Sequence, residues 1–169
     1  KMAVGDLLCG AFVVNPPATN YATNEWRAGG STDNESYPVW AFDASSSEKL
    51  DLLGAMSSKY VGSGLKVRIP LILAAATTGN VGLAGAFRRL DTGEDLDTSQ
   101  TYSEQSVTVA VPATNGAPIY AEIAFTSAQI DGLLASEAFV FRLRRDVTVG
   151  SNAAGDAQVL AFGIQIIET

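Results

Sequence analysis

Apolar and polar residues alternate with a period of two through much of this chain. Phe139, Phe141 and Leu143 fall on one side of such an alternation, with Val140, Arg142 and Arg144 on the other. Ile119, Ala121, Ile123 and Phe125 form a second apolar face, and Val67, Ile69 and Leu71 a third, set against Lys66, Arg68 and Pro70. Leu160, Phe162, Ile164 and Ile166 form a fourth. Successive side chains of a strand point to opposite faces, so each run predicts a strand with one buried face. Residues 7–14, 37–42, 49–56, 81–90 and 106–111 supply further candidates, about nine strands altogether.

Between these runs stand turn sequences rich in Gly, Asn, Asp and Ser: SSKYVGSG, TTGN, DTGEDLD, TNGAP and VGSNAAGD. Only TSAQIDGLL, residues 126–134, predicts helix, a turn or two with Thr126 or Ser127 as N-cap. No βαβ alternation is present. The pattern therefore predicts an all-β fold, an antiparallel β-sandwich of jelly-roll type with at most one short helix. Residues 15–36 are polar and rich in Pro and Gly, long for a connection inside a compact domain. The chain thus divides into residues 1–36, an N-terminal strand plus an extended polar arm, and residues 37–169, the sandwich.

Composition removes several functions. There are no histidines, which takes away the Ser-His-Asp and Cys-His systems and most zinc, copper and non-haem iron sites. No cofactor and no metal site is expected, and the protein reads as a non-enzyme. DTGEDLD groups Asp91, Glu94, Asp95 and Asp97, but it lacks EF-hand spacing and reads as a solvated turn. A net charge of −7 argues against nucleic acid. A single cysteine, Cys9, precludes an intrachain disulfide and reads as a small buried hydrophobe. No apolar run is long enough for a membrane helix, and the start of the chain, broken by Asp6 and Gly10, does not read as a secretory leader.

The remaining candidates are aromatic and basic. Tyr21, Trp26 and Tyr37 stand among polar residues, where aromatic rings either stack on sugars or anchor a segment onto a partner; anchoring by the arm residues Tyr21, Trp26 and Arg27 is the preferred reading. Seven of the eleven Lys and Arg lie in three strands, at 66 and 68, at 88 and 89, and at 142, 144 and 145. Were those strands neighbours, Arg142 and Arg144 would belong to a basic outer stripe that meets an acidic partner. Pairing within the chain, for example of Arg145 with Asp146 or Asp156, is the simpler account.

Several short motifs occur in order. Trp40, Phe42 and Asp43 open the series, followed by Ser57, Tyr60, Gly62, Leu65 and Val67. Thr78, Gly79 and Val81 come next, then Gly93, Glu94 and Asp97. Phe141, Arg144, Arg145 and Asp146 with Gly155, Asp156, Ala157 and Leu160 close it. Over roughly residues 37–167 this order resembles tailed-phage virion structural proteins, namely capsid decoration or cement proteins and jelly-roll domains of tail and fibre proteins. The resemblance implies a decoration subunit on the capsid surface of the virion, made in the host cytoplasm. Its implied partners are the major capsid protein and copies of itself, as a homotrimer. The alternatives are a domain of a phage tail, fibre or receptor-binding protein, and a carbohydrate-binding module.

Overall fold

The computed structural model describes residues 13–28, 35–98 and 100–169. Two antiparallel sheets face each other. The first runs β1 (Val13–Asn15), β4 (Lys49–Ala55), β9 (Ala138–Asp146), β6 (Asn80–Arg89) and β7 (Gln105–Ala110), in that spatial order. In the second, β5 (Leu65–Leu73) is flanked on one side by β8 (Ile119–Phe125). On its other side lie β10 (Ala157–Val159) and β11 (Gln165–Glu168), placed end to end. β10 carries the sheet on to β3 (Ser36–Phe42) and β2 (Thr23–Ala28). This is the antiparallel β-sandwich that the alternation predicts, with eleven strands among the described residues rather than nine.

Two differences have local causes. The run from Leu160 to Ile166 is not one strand: a 3-10 turn at Ala161–Gly163 separates β10 from β11. There Gly163 lies so close to Pro70 that a Cβ would meet the proline ring at 2.7 Å, and Pro70 has no N–H for a ladder bond. The expected helix at residues 126–134 shrinks to a 3-10 turn, Ser127–Gln129, in which the Thr126 N–H donates to Gln129 Oε1 at 2.8 Å. Of residues 1–36, β1 and β2 lie in the two sheets, and residues 1–12, with Cys9 and most of the first candidate strand, lie outside the described residues.

The core is the inner faces of both sheets. Phe87 and Phe141 from the β9 sheet meet Phe125 of β8, and Phe139 packs on Phe87, with Phe87–Phe125 centroids 5.1 Å apart and nearly perpendicular. Edge-to-face pairs of this kind add about 0.5–1.5 kcal/mol beyond burial. Gly85 makes the cluster possible, because a Cβ there would sit 2.7 Å from the Phe141 ring. Leu50, Leu52, Leu65, Ile69, Leu83 and Leu143 complete the fully buried layer.

Arg145 belongs to this inner face. Phe139, Phe141, Leu143 and Arg145 alternate inward, and Arg145 is wholly buried. Its Nη1 donates to the carbonyls of Phe42 (2.9 Å) and Gly155 (3.0 Å), its Nη2 to those of Ala153 (2.9 Å) and, through Oδ1, Asn152 (3.3 Å). It therefore pairs with loop backbone, not with Asp146. Burial pulls its basicity down, and Asp156, Asp43 and Glu48 oppose that loss. The guanidinium ties the end of β3 to the loop between β9 and β10.

Candidate functional site

The outer face of the β9 sheet carries a cleft of about 440 Å³. Its floor comes from outward positions of adjacent strands: Lys49, Asp51 and Leu53 on β4, Val140 and Arg142 on β9, and Arg88 on β6. The register explains the arrangement, since Asp51 lies opposite Arg142 and Leu53 opposite Val140. Asn15 at the end of β1 and Pro17 and Thr19 just after it wall one side. Leu96, Thr98, Gln100 and Tyr102, from the connection between β6 and β7, wall the other.

That second wall is held down by arginines. Arg88 Nη1 bonds Glu94 at 2.7 Å, and Arg144 Nη2 bonds Glu104 at 2.6 Å. Arg142 lies over the Tyr102 ring at 4.1 Å. Between them, Ala84 and Ala86 of β6 point outward yet are buried, because Arg144 and Arg142 stand opposite them in register. Small residues on β6 thus admit the arginine stems, and the arginine heads fix the loop.

Arg142 also forms a fork with Asp51, Nε to Oδ1 and Nη2 to Oδ2, each at 2.7 Å. The Asp51 carboxylate raises the basicity of Arg142, and Glu104 does the same for Arg144. Burial raises Tyr102 above its ordinary value, so its phenol stays neutral at physiological pH. The cleft therefore presents hydrogen-bonding side chains fixed by one another, beside apolar Leu53, Leu96 and Val140. Such a lining accepts a polar ligand with apolar ring faces.

A second, more apolar depression of about 560 Å³ lies on the outer face of the β5 sheet, around Tyr37, Pro70, Tyr120 and Leu160. One face of Tyr120 is covered by Arg68 at 4.0 Å, and Lys66 and Arg68 both pair with Glu122. Its aromatics are partly spent on the protein itself.

Of the residues singled out from sequence, Arg142 lies in the cleft floor and Arg144 pins its loop wall, while Tyr21, half-exposed, shares a backbone bridge with Lys49. Trp26 and Arg27 lie on the edge strand β2 of the other sheet. Trp26 is 72% exposed, and Arg27 donates to Leu73 O at 3.0 Å and Gln158 Oε1 at 2.6 Å. The basic segments do not form one stripe, because Lys66 and Arg68 belong to the opposite sheet from Arg88, Arg142 and Arg144. Asp51, Lys49, Gln100 and Tyr102 had no motif to announce them. The alternation of Lys49, Asp51 and Leu53 against Leu50 and Leu52 was their one available signal.

Among the described residues no group of three or more Cys, Asp or Glu side chains is placed to hold a metal ion. No helix among them is long and apolar enough to cross a membrane.

No protein-family model matches the chain, and no curated protein matches it significantly. Solved structures are similar to it to differing degrees. A carbohydrate-binding module specific for non-crystalline cellulose, CBM28, superposes with a TM-score of 0.51 at 11% identity, over 92% of this chain and 88% of that one. The CBM22-1 xylan-binding domain of Paenibacillus barcinonensis Xyn10C gives 0.46 at 10% identity, over 99% and 97%. The enzymatically active domain of tailspike protein 4 of bacteriophage CBA120 gives 0.44 at 10% identity, and this chain spans 94% of itself but 19% of that protein. The likeness to the cellulose-specific module is one of fold: an antiparallel β-sandwich of jelly-roll type.

Proposed function

We propose that the protein is a non-catalytic glycan-binding β-sandwich that holds a sugar chain in the cleft on the β9 sheet. The observation that carries this reading is the locked floor, where the Arg142–Asp51 fork and the Arg142–Tyr102 contact fix polar groups beside apolar ones. Sugars offer the complementary surface, hydroxyls around a ring with apolar C–H faces. Side chains held in advance lose little entropy when the ligand arrives.

The capsid-cement role implied by motif order is less well supported. One contact open to that role, Arg142 and Arg144 meeting an acidic partner, is taken up within the chain, where both spend their charge on Asp51 and Glu104. A tail, fibre or receptor-binding domain of a phage that carries a glycan site would reconcile the motif order with the cleft.

Affinity electrophoresis against a panel of soluble polysaccharides tests the proposal. Leu53→Trp should fill the cleft and abolish retardation while leaving the circular dichroism spectrum unchanged, since Leu53 is an exposed position. Retardation that survives Leu53→Trp, or that disappears instead in Tyr120→Ala, would move the site off the cleft.

A further inference from the structure

The hydrogen-bonding balance of the cleft identifies its class of glycan. The carboxylates paired along the cleft are Asp51 with Arg142, Glu94 with Arg88 and Glu104 with Arg144. Three donors are left over. Lys49 has no acidic partner among the described residues, although its backbone is anchored on both sides, N–H to Asn20 O at 2.9 Å and C=O from Ala22 N–H at 3.0 Å. Arg142 uses Nε and Nη2 on Asp51, and its Nη1 makes no hydrogen bond among the described residues. Arg88, only 7% exposed, has a buried Nε–H with no acceptor.

Arg88 Nε is shut away from solvent, so Lys49 and Arg142 Nη1 are the donors a ligand can meet, and a ligand that brings acceptors suits both. The surplus is also cationic, in a chain whose net charge is −7. The protein as a whole is acidic, yet Lys49 lines this cleft with no acidic partner among the described residues. We infer that the cleft takes an acidic glycan, a chain of uronic acid residues whose carboxylate is received by Lys49. This rests on the glycan reading and adds the ligand class to it.

The test uses one polymer in two charge states: sodium polygalacturonate and the same polymer as its methyl ester, each in native affinity gels at several concentrations. Dextran sulfate serves as a polyanion without carboxylates. The wild-type chain is expected to bind polygalacturonate about tenfold or more tightly than the ester, the scale of one charge-assisted contact. Lys49→Gln should remove that preference and Lys49→Arg should keep it. Equal retardation by dextran sulfate would overturn the inference, since mere charge would then suffice. Equal binding of acid and ester, lost in Leu53→Trp but unaffected by Lys49→Gln, would overturn the inference and leave the glycan site standing. Binding of none of these, nor of the neutral polysaccharides, would remove both.

Discussion

Arg142 and Asp51 face each other across β9 and β4 and join through two parallel hydrogen bonds of 2.7 Å. Both side chains are largely withdrawn from solvent, 19% and 15% exposed, so the pair is screened less than an ordinary surface ion pair. The same guanidinium covers Tyr102. One residue thus sets both the floor of the cleft and the position of its loop wall.

A double-mutant cycle on Arg142→Met and Asp51→Asn should therefore give a coupling of about 1–2 kcal/mol in urea unfolding, as expected for a bidentate, partly buried pair. Arg142→Met alone should also loosen the connection between β6 and β7, seen as faster amide exchange around Tyr102. A coupling near zero would mark the pair as an ornament of the surface.

Arg145→Met should be the most damaging change among the three arginines of β9. It removes the donors that satisfy the carbonyls of Phe42, Ala153 and Gly155, and leaves those oxygens buried. A loss of about 3–5 kcal/mol in chemical unfolding is expected, against at most about 1 kcal/mol for Lys66→Met, whose contact with Glu122 is exposed. Comparable losses for the two variants would contradict the structural role of Arg145.

Gly85→Ala should destabilise by about 1–3 kcal/mol despite adding one methyl group, because that methyl has no room beside Phe141. Phe141→Leu in the same chain should recover part of the loss. Additive effects of the two changes would show that the rings do not set the constraint.

Acid should weaken the fold through two turn carboxylates. Asp43 accepts from the hydroxyl and N–H of Ser45, and Asp146 from those of Thr148; each is held below its ordinary value of 3.8. A depressed folded-state value means stability that is present above pH 3.8 and is lost as pH falls through the folded value. Glu48 runs the other way, because burial raises it above 4.5 and its protonation relieves a penalty. The melting temperature gap between wild type and Asp146→Asn should therefore be largest near neutrality and close as pH drops below 3.8. A gap that does not change with pH would rule out the charged form as its source.

Much of the sandwich was legible along the chain, because alternation is a local property and each strand declares its own buried face. Phe139, Phe141 and Leu143 needed no neighbour to be read as core, and Thr126 announced its turn. The interruption at residues 160–163 was not legible, since it depends on Pro70, a residue far away in sequence. The fate of the three arginines of β9 was half legible. The alternation put Arg142 and Arg144 outside, but an inward arginine is tolerable only where carbonyls converge, and those of Phe42, Ala153 and Gly155 meet at Arg145 only once the sandwich is closed. The cleft was less legible still. Lys49, Asp51, Gln100, Tyr102 and Arg142 come from three separate stretches, and what unites them is strand register and a loop pinned by arginines. Composition and period fixed the class of fold, because burial acts on each strand separately. Which charges cancel, and which one is left facing the cleft, was decided by the tertiary structure, because a hydrogen bond needs its partner within about 3 Å.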